Sequence, residues 1–495
     1  MAVALPPFDI WPVAFVGLVP LGVAACREGV TRHRAVAGGL WFGGLFYGIV
    51  LHWVPFTLSG ILPFGFLLGC LAIAVLVCTC GVQLMAVHEL VAGRAVLALL
   101  AFPAVWITSE TLIAHAGTLA MPWSPLGLAL AGTPTLAGLA EWGGVRGLGL
   151  WITLVNGSLV AIILSPHGWR KWFGAIGVLG ITLGPMVLGV ARDRGLRTTS
   201  LPPILLTQIH LTREVLRDPD LRDQRVGEML EQVLEPWRSG GGPTDRARPS
   251  FGNEDPVVVL LPEAPFRQEW NSALRGRIGR HARDLGVPVL VGAHVRGLPP
   301  SDSDRLLNAV MLVEPGGEAR MVHAKLRLVP GVENPGFARG AVPGVIQLAG
   351  LNMGFAICFE SAFGRDAASA RGDGAQVLIN PTNDGWFAPH LGGVRSAGHA
   401  QHRAHLILRA TESRMTAVRS SVGGELLAIG PDGRVKVRGA VGQDGAAVVI
   451  PAVGPTTAFV RYGDIGGGTA VSLLGVLMML RIAGLRERED DRVER

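Results

Sequence analysis

Gly354-Phe355-Ala356-Ile357-Cys358-Phe359-Glu360 is a short apolar run that ends in a cysteine with a carboxylate two residues on. A buried strand presents a nucleophile at its end in this way, so the stretch reads as a strand over 354–360 carrying a reactive thiol. Two upstream segments have the same build. Val257-Val258-Val259-Leu260-Leu261-Pro262-Glu263 closes on a carboxylate, and His323-Ala324-Lys325-Leu326-Arg327-Leu328-Val329-Pro330 carries an amine. A carboxylate, an amine and a thiol, each at or just after a separate apolar strand, point to a layered α/β domain with one site assembled at its strand ends.

Lysine is rare in this chain. Only Lys171, Lys325 and Lys436 occur among 44 Lys plus Arg residues. Arginine stays protonated at any workable pH, whereas a buried lysine is a compact donor whose pKa responds to its surroundings. Lys325 therefore reads as a selected residue. The plain alternative is that one of three lysines falls here by chance.

The composition excludes an ordinary soluble enzyme. Hydrophobic residues make up 49% of the 495, and the mean hydropathy is +0.40. Apolar runs long enough to cross a bilayer read near 10–26, 35–56, 61–87, 95–115, 147–165, 172–191 and 465–484. That gives about six spans before a polar block and one after it: a membrane bundle over 1–195, a domain over 196–464, and a last helix with its tail over 465–495. Arg27, Arg32, Arg34, Arg94, Arg170, Lys171, Arg486 and Arg488 mark alternate connections as cytoplasmic, which places the 196–464 block on the other side. The same count puts the N-terminus outside; one further upstream helix would return it to the cytoplasm and make eight spans. The net charge of +6 is arginine spread over loops and the polar block, a membrane-orientation signal and not a nucleic-acid one.

Cys26, Cys70, Cys78 and Cys80 fall in or beside spans, where cysteine acts as a small apolar residue, so no disulfide framework is expected. Cys358 is the only cysteine of the polar block. Between 203 and 451 short β-rich runs alternate with amphipathic helices. Strands are expected at 203–208, 257–263, 287–295, 308–313, 320–324, 354–360 and 376–380, and helices near 220–237, 266–285 and 396–412. A hairpin closes around Pro431-Asp432-Gly433. The Gly-, Pro- and Arg-rich run 238–249 reads as a surface insertion.

A thiol with an ordinary pKa near 8.5 needs a base or a nearby cation at neutral pH. Glu263 is placed to take its proton, and Lys325 to stabilise both the thiolate and the oxyanion of a tetrahedral intermediate alongside a backbone N–H after the cysteine. Attack on an ester or amide would leave a thioester. Glu333 and Glu360 lie close in sequence and could orient Lys325 or receive a proton from an incoming amine; solvated loop carboxylates are the plain alternative. Asn308 opens a strand and reads as a residue that fixes the site.

Pro262-Glu263, Lys325 to Pro330, Glu333, Cys358-Phe359-Glu360 and Asn383-Asp384-Gly385-Trp386-Phe387 together resemble the nitrilase superfamily. With Leu5 to Phe8, Pro20-Leu21, Gly43 to Gly48, Trp53, Pro122-Trp123, Gly147 to Asn156 and Tyr462 to Asp464, the whole chain resembles the membrane-embedded branch of it, the apolipoprotein N-acyltransferase family. The resemblance implies a four-layer α-β-β-α sandwich facing the periplasm above an inner-membrane helical bundle. It implies a ping-pong transfer without cofactor or metal: Cys358 takes an acyl chain from a phospholipid, typically phosphatidylethanolamine, and passes it to the α-amine of a diacylglyceryl-cysteine at a lipoprotein N-terminus. By position Glu263 is then the base, Lys325 the oxyanion stabiliser and Cys358 the nucleophile, with Asn308, Glu333, Phe359 and Glu360 in support. The sequence departs from the family at Phe359, where tyrosine is common, at Gly331-Val332, where Phe-Gly is usual, and at Val422, where an asparagine is usual.

Two rivals stand beside this reading. A membrane-anchored nitrilase-type amidase would use the same three residues with water as acceptor. A zinc site would use His399, His402 and His405, at i, i+3 and i+6 of one helix, although that spacing drifts by about 60° per step.

Overall fold

Proline and glycine decide how the apolar first third breaks into helices. The computed structural model describes the chain except for residues 166–167, 212–214, 216–217, 238–254, 297–304, 334–335, 342–343, 388–395 and 494–495, so the expected 238–249 insertion lies outside the described residues. Two compact units result, one of residues 1–195 with 462–495 and one of residues 196–461.

Among the described residues of the first unit, five helices are long and apolar enough to cross a membrane: Gly65–Val91, Ala95–Ala114, Ala140–Leu164, Lys171–Gly195 and Ile465–Ala483. A sixth crossing forms only if Arg32–Val50 and Trp53–Ser59, bent by 58° at their junction, act as one span. The expected span at 10–26 is corrected. Pro12 and Pro20 divide it into a 3-10 segment, Trp11–Phe15, and an eight-residue α-helix, Val19–Cys26. Eight residues rise only about 12 Å against a hydrocarbon core of about 30 Å. The break leaves backbone groups without helical partners, and Asn156 supplies them: its Oδ1 accepts the Leu18 N–H at 2.9 Å while its Nδ2 donates to the Ala14 carbonyl at 2.8 Å. A buried amide inside an apolar bundle is thereby fully used. Close helix approach depends on small residues: a Cβ on Gly39 would lie 2.3 Å from the Cys80 carbonyl oxygen. Glu110, the clearest charge within the spans, accepts the Leu126 N–H at 2.9 Å, and Arg146 pairs with Asp464.

The second unit has fifteen strands among its described residues: β1 Thr199–Ser200, β2 Ile204–Ile209, β3 Val258–Leu260, β4 Val289–Val295, β5 Leu306–Val313, β6 Ala319–Ala324, β7 Phe337–Ala338, β8 Val345–Leu348, β9 Leu351–Phe355, β10 Val377–Asn383, β11 Thr416–Val422, β12 Leu427–Ile429, β13 Val435–Arg438, β14 Gly445–Val449 and β15 Ala452–Val453. The main path runs β6-β5-β4-β3-β2-β11-β10-β9-β8. Among the described residues its halves share strand register at Gln208↔Ser421 and Ile209↔Val422. Beyond that seam they face each other, because Ile204, Leu206, Val258, Leu260, Leu290 and Leu312 share one buried cluster with Leu351, Met353, Val377, Ile379 and Val418. Alternate residues of the first half, Leu205, Val259, Val289 and Val291, pack outward on Val226, Met229 and Leu230 of helix Pro219–Leu234 and Leu274 and Ile278 of helix Ser272–Leu285. Helices Gly364–Gly372 and Gly398–Ser413 serve the second half. The result is the nitrilase-like α-β-β-α sandwich, with period-2 alternation sending one face to each core.

Several boundaries differ from the sequence reading, for local reasons. The helix expected from 266 starts at Ser272, since Asn271 accepts the Leu274 N–H at 2.9 Å and caps it there. Strand 354–360 stops at Phe355, and Cys358–Ala362 is a 3-10 turn. Strands β1, β7, β8, β11, β14 and β15 had no sequence expectation; β11 is polar along Arg419-Ser420-Ser421 yet wholly buried.

Candidate active site

Topology carries the site residues to one end of the sheet. Strands β3, β2, β11, β10 and β9 run parallel, so their carboxyl ends lie on the same side. Glu263 follows β3, Cys358 follows β9 and Asn383 ends β10. Strand β5 runs antiparallel to β4 and so begins at that side, bringing Asn308; β6 runs back along β5 and delivers Lys325, whose N–H donates to the Asn308 carbonyl at 2.8 Å.

Lys325 Nζ donates to Glu263 Oε1 and to Glu333 Oε1, both at 2.9 Å, and is 1% exposed. Asn308 Nδ2 bridges the same two oxygens, at 2.7 and 3.1 Å. Glu263 Oε2 accepts the Asn383 N–H at 2.9 Å, a bond from one half of the sandwich to the other, and Glu333 Oε2 accepts the Val329 N–H at 2.8 Å. Burial by itself would discharge Lys325, but Glu263 and Glu333 outweigh it and lift its pKa well above the ordinary lysine value. The amine is therefore an ammonium shared by two carboxylates.

Cys358 sits half-buried at the mouth of the turn with φ +48°, a left-handed conformation unusual for a residue with a side chain. Burial, followed by the Glu263 charge, raises its thiol well above the ordinary value, and Lys325 acts in the opposite sense. Its surroundings thus favour the neutral thiol over the thiolate.

Glu360 does not reach Lys325, so the expectation that it orients the lysine is corrected. Its Oε1 accepts the Leu326 and Arg327 N–H groups at 2.6 and 3.2 Å, while Oε2 accepts the Ile357 N–H at 2.7 Å and bonds His323 Nε2 at 3.1 Å. It ties the lysine-bearing segment to the cysteine-bearing turn. Phe359 is buried and packs edge-on against Phe363, ring centroids 5.3 Å apart.

The three-histidine zinc reading is also corrected. Both ring nitrogens of His402 are engaged, Nδ1 with Asp384 Oδ1 at 2.8 Å and Nε2 with the Cys358 carbonyl at 3.0 Å, while His399 lies 4.0 Å from Asp384 Oδ2. Among the described residues the potential metal-ligand atoms that cluster are those of Cys358, Asp384 and His402, not the three histidines.

Comparison with known proteins agrees with this architecture. Residues 1–158 match the apolipoprotein N-acyltransferase N-terminal domain and residues 255–458 match the carbon-nitrogen hydrolase family. The chain is 26% identical to apolipoprotein N-acyltransferase 2 of Treponema pallidum, over 85% of this chain and 81% of that protein. It is 27% identical to the apolipoprotein N-acyltransferase of Rhodopseudomonas palustris, over 97% of this chain and 93% of that one. Over most of its length the chain is similar to the apolipoprotein N-acyltransferases. Among solved structures, a mutant of the amidase from Nesterenkonia sp. AN1 in complex with butyramide matches 53% of this chain and 94% of its own, at 17% identity and a TM-score of 0.38.

The residues that sequence reasoning passed over lie behind Cys358. Asp384, inside the quoted Asn383 to Phe387 motif, and Arg419, which opens the run that departs at Val422, carried a usable signal; Asn380 did not. Arg419 Nε donates to Asn380 Oδ1 at 2.6 Å, and its Nη1 lies 3.5 Å from Asp384 Oδ2. Burial would raise the Asp384 carboxyl, but His402 and Arg419 prevail and hold it down at about 2, below its usual 3.8. A depressed folded-state pKa stabilises the fold above the unfolded value and is lost as pH falls through the folded one. Denaturant unfolding in micelles should therefore show wild type losing on the order of 2 kcal/mol more than Asp384→Asn between about pH 4 and pH 2. Equal losses would refute the assignment.

Proposed function

We propose that this protein transfers an acyl chain from a phospholipid, through a thioester on Cys358, to the N-terminal amine of diacylglyceryl-cysteine in a bacterial lipoprotein. The observation that carries the reading is the Glu263–Lys325–Glu333 cluster beside a strand-end thiol, in a chain that pairs this domain with apolar helices of membrane-spanning length. Phosphatidylethanolamine is the proposed donor. The proposed setting is the inner membrane, with the 196–464 domain in the periplasm.

The chemistry follows from the charges. Glu263 takes the thiol proton as sulfur attacks the ester carbonyl carbon, so thiolate forms only as it is consumed. Lys325 has three N–H donors and uses two on Glu263 and Glu333; the third, with the Phe359 backbone N–H, serves the oxyanion. Collapse breaks the ester C–O bond, and Glu263 returns the proton to the departing lysophospholipid oxygen. In the second half the α-amine attacks the thioester, Glu263 removes its proton, and sulfur leaves and regains that proton. Glu333 keeps Lys325 in place and charged throughout.

The test is intact-mass analysis after incubation with phosphatidylethanolamine vesicles. A hydroxylamine-labile acyl adduct should appear on wild type and be missing from Cys358→Ala, and a diacylated lipopeptide should discharge it to an N-acylated product. Discharge solely to free fatty acid would replace this reading with the amidase one.

A further inference from the structure

The segment that follows Glu263 holds a backbone conformation that its own sequence disfavours. Ala264 carries a side chain and precedes Pro265, and sterics confine such a residue to extended backbone at negative φ. Its φ is +38°. A geometry that local chemistry opposes persists only where tertiary contacts impose it. Two helices of the outer layer supply those contacts at four consecutive residues. Arg222 of helix Pro219–Leu234 donates through Nη2 to the Ala264 carbonyl at 2.6 Å and through Nε to the Pro265 carbonyl at 3.0 Å. The Phe266 ring is buried, with the Arg277 guanidinium 5.2 Å from its centroid. Asp223 Oδ1 accepts the Arg267 N–H at 2.7 Å, and the Asp223 carbonyl accepts from Arg277 at 3.3 Å.

We infer that Arg222 and Asp223 are positioning residues for Glu263, forming a strap that fixes the 264–267 segment and, through it, the backbone from which the carboxylate reaches Lys325. The inference rests on Glu263 being the base of the proposed reaction. Lys325, Asn308 and the Asn383 N–H hold the carboxylate end of the residue. They place it correctly only if its Cα is also fixed. Before Glu263, the Pro262 carbonyl accepts the Gly292 N–H at 3.0 Å. Neither Pro262 nor Pro265 has an N–H to donate, which leaves carbonyls and side chains to anchor the turn. The residue chosen for this is telling. Arg222 is 8% exposed, and among the described residues its guanidinium bonds these two carbonyls and no carboxylate. A buried cation ordinarily sits against an anion. One directed at adjacent carbonyls of a single turn is accounted for by the turn itself, and the planar fork of arginine reaches both in a fixed geometry that the single nitrogen of lysine cannot reproduce.

The experiment is hydrogen–deuterium exchange of the full-length protein in detergent, read by mass on peptides that contain the Asn383 amide and on peptides from 226–234, beside single-turnover acylation with phosphatidylethanolamine. Glu263 Oε2 accepts the Asn383 N–H, so that amide reports from the opposite half of the sandwich, and without lipid, whether the carboxylate is in place. Arg222→Met should speed exchange at Asn383 by about tenfold. It should slow acylation by about 10²-fold and leave the half-saturating lipid concentration within about twofold of wild type. An arginine that merely packs its helix on the sheet would, when replaced, speed exchange over 226–234 and leave Asn383 as in wild type; that result overturns the inference. If Arg222→Met does not fold, the half-buried Asp223 decides. Asp223→Ala should speed exchange at Asn383, and Asp223→Asn, which keeps an acceptor oxygen for the Arg267 N–H, should restore it. Equal exchange in Asp223→Ala and wild type overturns the strap. A wild type that forms no acyl adduct removes the acyl-transfer reading alone, because exchange at Asn383 still decides whether the strap positions Glu263.

Discussion

Lys325→Met should leave acyl-enzyme formation more than about 10³-fold slower and destabilise the domain by about 3–5 kcal/mol. Methionine matches the length of the lysine stem, so the change removes charge and donors while keeping volume. Glu263 Oε1 and Glu333 Oε1, each 2.9 Å from Nζ, would then share only the Asn308 amide. Two carboxylates facing each other without a cation must take up a proton, which disables the proposed base. Losing the oxyanion donor adds about 10²–10³ of its own. Glu333→Gln is the control: it removes one of two negative partners, keeps a hydrogen-bond acceptor on the lysine and should cost less in both measurements. Single-turnover acylation with thermal unfolding of the same samples reads both effects. A Lys325→Met protein acylating within tenfold of wild type would remove the lysine from the mechanism.

Gly292→Ala should lower acylation by about 10²-fold although residue 292 carries no reactive group. Its position on β4 lies against the segment that bears Glu263, the proposed base. An added Cβ would stand 2.5 Å from the Glu263 Cα and 2.8 Å from the Ala264 nitrogen, and backbone cannot swing aside as a side-chain tip can. The Glu263 backbone has to move, and overpacking of this kind costs about 1–3 kcal/mol. Gly276→Ala, in helix Ser272–Leu285 with nothing within 4 Å of the new methyl, should instead leave activity unchanged and add about 0.5–1 kcal/mol through helix propensity. Wild-type acylation by Gly292→Ala would mean that the Glu263 position is not critical.

Much of the site could be read in one dimension because apolar runs end in residues that strands rarely carry. Glu263 and Lys325 stand out for that reason, and Lys325 further by rarity. Glu333 is different. It lies on a turn, its sequence signal is only its distance from the lysine, and its role depends on Nζ reaching it. Glu360 misled because proximity to Cys358 along the chain suggested proximity to the lysine side chain, whereas its carboxylate is used by the Leu326, Arg327 and Ile357 N–H groups. His402 was visible only as one of three spaced histidines, and helical spacing states which residues share a face but not what that face meets.

By itself the sequence determined the division into apolar spans and an α/β block, the placing of Glu263, Lys325 and Cys358 at or just after separate apolar strands, and the family resemblance. Those follow from composition, period and local turn chemistry, which act over a few neighbouring residues. Tertiary structure alone decided that 11–26 is too short to cross and is held by Asn156, that polar β11 is buried, and that Asn383 reaches Glu263 from the opposite half of the sandwich. It also decided that Asp384 and His402 stand behind the thiol. Each joins residues over a hundred positions apart or depends on which side chain fills a buried hydrogen bond, and the free energy of burying a polar group is set by partners that only the folded chain brings near.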